Sequence, residues 1–418
     1  MNGTAFASHD WRRLPDALAG AVEAAFGLPP ASVSPGDHPA LAWRRSGLMS
    51  VTGRPDGPPL IAPVALTTLA DSALSMLSAA SPRLGIASGA RLLGERARLM
   101  NLARGGTVSA NGSCRLLRCA DGVIALNLPR EDDWELICAL LSGQLAEDWA
   151  ALAEAVLPLP AGPLVERARL LGLACAQVRP PHERPPFRVT RFGNSRGGSA
   201  VPLVVDLSSL WAGPLAGSLL AAAGARVVKV QSTHRPDGAR DGHAGFYALL
   251  NRDKTEQWLD LRSASGQRAL RELVSRADIV IEGSRPRALR QMGIDARDVA
   301  AAGATWISIT AYGRDDPCGE MIGFGDDAAI AGGVGHRMDA VWGTPMFAGD
   351  AIADPLTGIL AALLGWTAWR SGQGSLIDVA LADVVAFACR FGARSRYEAL
   401  AWQRMAAEDD APLYALRA

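Results

Sequence analysis

The stretch "VPLVVDLSSLWAGPLAGSLLAAAGARVVKVQ", Val201–Gln231, decides the fold. Its apolar opening reads as a buried strand, and "SSLWAGP" reads as a tight turn with a proline in the first helical turn. A short apolar helix follows, Gly224 stops it, and "ARVVKVQ" reads as a second strand. Strand, helix and strand joined this closely imply parallel strands with a right-handed crossover. Toward the C-terminus, "ADIVIEG" and "ATWISITAYG" predict two more strands, alternating with helical patterns at 264–276 and 285–292. Residues 201–395 are therefore expected to form a doubly wound, Rossmann-like parallel-sheet α/β domain.

Toward the N-terminus the patterning is less regular. "RPPHERPPFRVTRFGNSRGGSA" is rich in Pro, Gly and Arg, and residues 187–200 read as a linker. Residues 43–186 read as a smaller α+β domain with helices over 64–80 and 143–155. A strand pair is expected in "SCRLLRCADGVIALNLP", turning at Asp121-Gly122. Residues 1–42 form an N-terminal segment and 396–418 a C-terminal tail.

The bulk numbers narrow the classes. In 418 residues, 49% are hydrophobic and 20% charged, a globular composition with ample core. Basic and acidic residues balance at 42 each, which argues against nucleic-acid or membrane binding driven by bulk charge. No signal-peptide core opens the chain and no apolar run reaches membrane-spanning length. The six cysteines form no CxxC pair, so a reducing cytoplasm is the expectation. Lys229 and Lys254 are the only lysines; every other basic side chain apart from histidine is arginine.

A strand–turn–helix start invites a dinucleotide fingerprint, but "WAGPLAG" lacks GxGxxG. Where a nicotinamide enzyme has an acid for the ribose, "VVKVQSTHRPDGAR" offers Lys229, His234, Arg235 and Arg240. Cations there, with Lys254 just outside another strand, suit a phosphate group. The plainer alternative is a solvated cationic surface.

An internal echo links the two halves. "SGLMSVTGRPDGPPLIAPVALTTLADSALSML" from Ser46 and "GGVGHRMDAVWGTPMFAGDAIADPLTGILAAL" from Gly332 both run through a Pro-containing turn into an apolar helix. Thr68 falls where Asp350 stands. Asp350 and Asp354 are acids in a small, apolar setting, and burying a carboxylate is costly unless it is paired or used. A helix N-cap is the structural alternative for Asp350.

In order, "VVDLSSLWAGPLAGSLLAAAGARVVKVQ", "NRDKTEQWLDLRSASGQRAL", "ADIVIEGSRPRALRQMGI", "ISITAYGRDDP" and "AGDAIADPLTGILAALLGWTAWRSGQGSLIDVAL" resemble the family III CoA-transferases. This family includes formyl-CoA and carnitine-CoA transferases and the alpha-methylacyl-CoA racemases. The resemblance covers roughly 200–390. It also suggests that "SGLMSVTGRPDGPP", "CRLLRCADGVIALNLPREDDWELICALL" and "VERARLLGLACAQV" are parts of a degenerate back half. A back half then precedes a front half, as in a tandem fusion trimmed at both ends, whereas the family order is the reverse.

What the resemblance implies is specific. Counting back from "GQGS" at Gly372, Asp350 is the nucleophile, while Asp354 occupies a place usually held by glycine. The carboxylate would form an aspartyl mixed anhydride and then an aspartyl-CoA thioester, moving CoA between carboxylic acids. Gly332 and Gly333, with Gly335, would supply oxyanion N–H groups. Trp211 and Ala212 would line the cofactor site, and Lys229, Arg235, Lys254, Arg287 and Arg290 would meet the phosphates of CoA. Acyl-CoA and an acceptor acid are substrates, and no cofactor is permanently bound. Phe324 stands where racemases carry His, and it can serve as neither acid nor base, so racemase or lyase chemistry is disfavoured; His336 is a lone histidine nearby. A catalytically degenerate CoA-binding subunit is the competing expectation. Family dimers interlock, and the apolar faces of helices at 64–80 and 356–369 predict a homodimer, or a heteromer with a related subunit.

Overall fold

In the computed structural model, the described residues are 8–34, 36–194 and 200–417. A three-stranded antiparallel sheet comes first: β1 (Cys114–Cys119), β2 (Gly122–Asn127) and β3 (Ala174–Gln177). Cys119 pairs with Gly122, so the hairpin loop is Ala120-Asp121, one residue earlier than expected. Helices Trp149–Val156 and Ala161–Leu170 cover it, and Leu117, Ile124, Leu126, Leu152, Leu164 and Cys175 form a separate small core. This smaller α+β domain covers only part of the expected 43–186, because Trp43, Leu48, Leu66 and Leu93 belong to the main core.

The larger sheet has seven strands: β4 (Arg188–Asn194), β5 (Leu203–Asp206), β6 (Arg226–Ser232), β7 (Thr255–Leu259), β8 (Ile279–Glu282), β9 (Thr305–Thr310) and β10 (Gln373–Ala380). Their order is β4-β10-β9-β8-β5-β6-β7. All neighbours are parallel except β4, which runs antiparallel to β10. The strand order reverses between β5 and β8, and in open α/β sheets ligands bind in the crevice at the carboxyl ends beside such a reversal. Half of the expected linker 187–200, Arg188–Asn194, is thus an edge strand; residues 195–199 lie outside the described residues.

Helix Ala353–Arg370 runs through the centre of the molecule, with almost every side chain buried. It packs against Ala212–Ala222 on one side and Leu66–Ala80 on the other. The second contact joins the two echo helices inside one chain. Leu66, Leu69, Ala73 and Leu77 share a continuous core with Leu356, Ile359, Leu360 and Leu363. The premise that these faces await a second chain is therefore corrected: each covers the other.

The ends of the chain belong to the same body. Helix Leu14–Phe26 packs on Leu66–Ala80, and Arg396–Glu408 packs on Pro39–Arg45. Beyond Glu408 the chain turns back over the N-terminal half, where Asp409 pairs with Arg45 and Arg417 with Glu95. Among the described residues no helix is long and apolar enough to cross a membrane.

Candidate active site

Asp350 sits on a tight turn just before the central helix. Gly349 has φ 76° and Ala351 has φ 41°, so the backbone is left-handed on both sides of the carboxylate. A non-glycine residue held at positive φ is strained, and such strain is tolerated where surrounding contacts over-determine it. Here they come from three directions. Gly349 N–H donates to Thr52 Oγ1 at 3.0 Å, Phe347 N–H donates to the Gly106 carbonyl at 3.0 Å, and Ala351 N–H donates to Asp326 Oδ1 at 3.0 Å. The helix begins at Ala353 with Ile352 as its N-cap, so Asp350 does not cap it.

The Asp350 carboxylate is fully buried. Both oxygens are held by Arg96, from Nε at 2.7 Å and Nη2 at 2.5 Å. This is a bidentate, charge-assisted fork. Arg96 lies on the short helix Glu95–Leu99, in the half that precedes the smaller domain. Its guanidinium carbon stands 4.5 Å from the centre of the Trp211 ring, and Trp211 meets Phe246 edge-on at 5.1 Å. Arg96 keeps 20% of its side-chain exposure while Asp350 keeps none, so whatever surface the pair has belongs to the arginine.

Three more acids surround the pair. Burial, then the charge of Asp350, pushes Asp326 up to about 7. Burial also raises Asp354 to about 7, against the opposing pull of Arg96. Asp327 is raised by burial too; it accepts hydrogen bonds from Tyr312 Oη at 2.7 Å, Asn127 Nδ2 at 3.0 Å and Phe324 N–H at 2.9 Å. Asn111 Nδ2 donates to Asp326 Oδ2 at 3.1 Å. Asn111 and Asn127 belong to the smaller domain, so the site forms where the N-terminal half, the smaller domain and the α/β domain meet.

Several expected site residues have other partners. Lys254 is buried, and its ammonium reaches Asp206 Oδ2 at 2.8 Å, the Pro214 carbonyl at 2.7 Å and Asn251 Oδ1 at 3.0 Å. Three donors and three acceptors leave none for a phosphate. Lys229, fully buried, donates to the Ser208 carbonyl at 2.8 Å and pairs with Asp237 at 3.0 Å. Burial alone would raise Asp206, but the two lysines pull it down to about 2. The phosphate role expected of these lysines is corrected: they are internal counter-ions. The same holds for the expected oxyanion glycines. Gly332 N–H donates to the Ala328 carbonyl and Gly333 N–H to that of Ile330. A Cβ on Gly332 would stand 2.7 Å from Val385, and one on Gly333 2.7 Å from the Pro181 nitrogen, so both serve close packing.

Arg235, Arg287 and Arg290 remain exposed at the carboxyl edge of the sheet. Arg235 follows β6; Arg287 and Arg290 lie on Pro286–Gln291 after β8, with Arg287 3.6 Å from Glu320. They flank β5 and thus the strand-order reversal. Trp211 and Ala212 open the helix after β5, and both are buried. Phe324 and His336 are partly buried, and burial lowers the His336 pKa. Sequence reasoning did not single out Arg96, Asp326, Asn111 or Asn127. The only hint of Arg96 is a charged trio, Glu95, Arg96 and Arg98, interrupting the apolar run "LLGERARLM".

The CoA-transferase family III sequence model matches residues 202–409. Succinate–glutarate CoA-transferase of Agrobacterium fabrum is 35% identical over 204 residues, which is 43% of this chain and 50% of that protein. Succinyl-CoA–D-citramalate CoA-transferase of Chloroflexus aurantiacus is 31% identical over 195 residues, 44% and 48% of the two chains. The chain thus spans about half the length of the curated relatives it matches. A solved CAIB/BAIF family protein from Brucella suis is 29% identical, with a TM-score of 0.40 over 46% of this chain and 55% of that one.

Proposed function

Because the CoA-transferase family III model matches residues 202–409, we propose that this chain moves CoA between carboxylic acids with Asp350 as nucleophile. The observation that carries the proposal is the Asp350 turn. It holds one carboxylate between Gly349 and a strained Ala351, with no surface exposed to water, directly before the buried central helix. Asp326 and Asp354, raised to about 7, are largely or partly protonated near neutrality. That limits the negative charge competing with Asp350 for Arg96.

In the proposed reaction the Asp350 carboxylate attacks the thioester carbonyl of an acyl-CoA. The C–S bond breaks, and a mixed anhydride and CoA thiolate result. The thiolate then attacks the aspartyl carbonyl, expelling the first acid as its carboxylate and leaving an aspartyl-CoA thioester. An acceptor carboxylate runs the two steps in reverse and departs as the new CoA ester. Shelter from water strengthens the carboxylate and protects both intermediates from hydrolysis. CoA enters only as a substrate, with Arg235, Arg287 and Arg290 proposed for its phosphates. The cytoplasm is the proposed setting, in keeping with six free cysteines.

A second reading, a catalytically degenerate CoA-binding subunit, is favoured by one observation: Arg96 occupies both oxygens of an Asp350 with no exposed surface. Trapping separates the two. The protein is incubated with an acyl-CoA, quenched with hydroxylamine or borohydride, and digested. A mass shift on the Asp350 peptide, lost in Asp350→Ala, is the expected result. A shift on Asp354 would mean that the nucleophile is misassigned. No shift alone, but exchange in the presence of a related subunit, would favour the second reading.

A further inference from the structure

Arg96 presents a problem of charge. Its guanidinium is enclosed between Trp211 and Asp350, and that carboxylate is the anion held in its fork. An enclosed cation that loses its counter-ion is strongly disfavoured. The proposed chemistry removes the counter-ion: once Asp350 is esterified, as anhydride or as CoA thioester, it is neutral. This inference rests on the proposed function for its place in the reaction, but its structural core does not.

We propose that Arg96 is the seat of the free carboxylate substrate. One negative charge is conserved through the cycle. It begins on Asp350 and passes to the CoA thiolate when the anhydride forms. It reaches the departing acid when the thiolate attacks the aspartyl carbonyl and the anhydride C–O bond breaks. At that stage Arg96 faces a neutral thioester and a newly released carboxylate. The fork that held Asp350 fits that carboxylate equally well, because both are planar with two oxygens. The leaving acid exchanges for the acceptor acid on Arg96, which aims an oxygen of the acceptor at the thioester carbon. Of the pair, Arg96 is the member with surface exposure, 20% of its side chain, so exchange takes place on its side. Trp211 keeps the guanidinium plane oriented during the exchange. The substrate class assigned to this seat is a free organic carboxylate, bound by its reacting end.

A binding test reads the seat without turnover. Asp350→Ala leaves the fork vacant, and acetate or formate should refill it. The thermal midpoint of Asp350→Ala should rise saturably with added acetate over its response to chloride at equal ionic strength. Wild type should not respond, and Asp350→Ala with Arg96→Met should not respond. An Asp350→Ala response equal to that of the double variant overturns the proposal, whatever the exchange assay gives. Kinetics supply the second arm through Arg96→Lys, which keeps the charge and loses the fork. The acceptor-acid KM should rise tenfold or more, while the acyl-CoA KM changes less than threefold. Equal changes in both constants would overturn the role in exchange. Should wild type exchange nothing, the proposed function falls, and the acetate titration still decides whether Arg96 seats a carboxylate.

Discussion

Asp354 illustrates how one side chain couples the site to solution conditions. Burial raises its carboxyl to about 7, whereas an unfolded aspartate titrates at about 3.9. Between these values the folded state binds more protons than the unfolded one, so stability falls as pH rises through this window. The contribution is complete only below the unfolded value; at pH 5, where the unfolded aspartate is already ionised, about two thirds of it is left, and by pH 8 it is lost. Asp354→Asn substitutes a neutral amide that can still accept the Gly325 N–H. It should shrink the loss of unfolding free energy between pH 5 and pH 8 by roughly 2 kcal/mol. Urea titrations of wild type and variant at both pH values measure this, and an unchanged difference would mean that Asp354 is ionised throughout. Asp326, with the same shift in a more buried position, contributes in the same direction.

At the scale of elements, the alternation of strands and helices after Val201 is legible because apolar runs and breakers mark it directly. Helix Ala264–Arg276 falls where the pattern put it, with Ser263 capping it. Strand β4 was hidden. Arg188, Thr190 and Phe192 alternate with Val189 and Arg191 on a sheet edge, and an arginine-rich edge strand beside prolines has the composition of a linker. Asp350 could be singled out by counting from a nearby turn, but its pairing with Arg96 could not, since 254 residues separate the two. The lysines misled for a different reason: sequence shows a charge but not its burial. Lys254 ties β5, through Asp206, to the helices carrying Pro214 and Asn251. Lys254→Met would strand Asp206, which is fully buried, and should cost about 3 kcal/mol or more in chemical denaturation. A phosphate-binding lysine would instead raise the KM for CoA esters with stability intact. Helix contact is equally exacting at Gly358, where a Cβ would stand 2.5 Å from the Ala212 carbonyl. Gly358→Leu should therefore push Ala353–Arg370 off Ala212–Ala222, lowering stability by about 1–3 kcal/mol. An unchanged melting temperature would show that the two helices can part freely.

For the whole molecule, the decisive feature is that the half preceding the smaller domain completes the half that follows it. Leu66–Ala80 covers one side of the central helix, Thr52 and Gly106 hold the Asp350 turn, and Arg96 neutralises it. A continuous core runs from Trp11 to Trp402 through both halves. Residues 200–417 alone would expose that apolar face and leave Asp350 buried without its cation. Division between residues 197 and 198 cuts outside the described residues and spares β4. Residues 1–197 and 198–418, co-expressed as separate chains, should associate one to one and co-purify through a tag on either. Expressed alone, 198–418 should be insoluble or aggregate, because Leu356, Ile359, Leu360 and Leu363 would lose the cover of Leu66–Ala80 and face water. The Arg96–Asp350 pair makes the association charge-dependent as well: Arg96→Glu in the first fragment should abolish co-purification or weaken it severely, by setting two carboxylates against each other. Sedimentation of the tagged complex at micromolar concentration gives the stoichiometry. A soluble, folded and monomeric 198–418 would show that the second half needs no complement, and the N-terminal half would then be an addition rather than a structural part of the site.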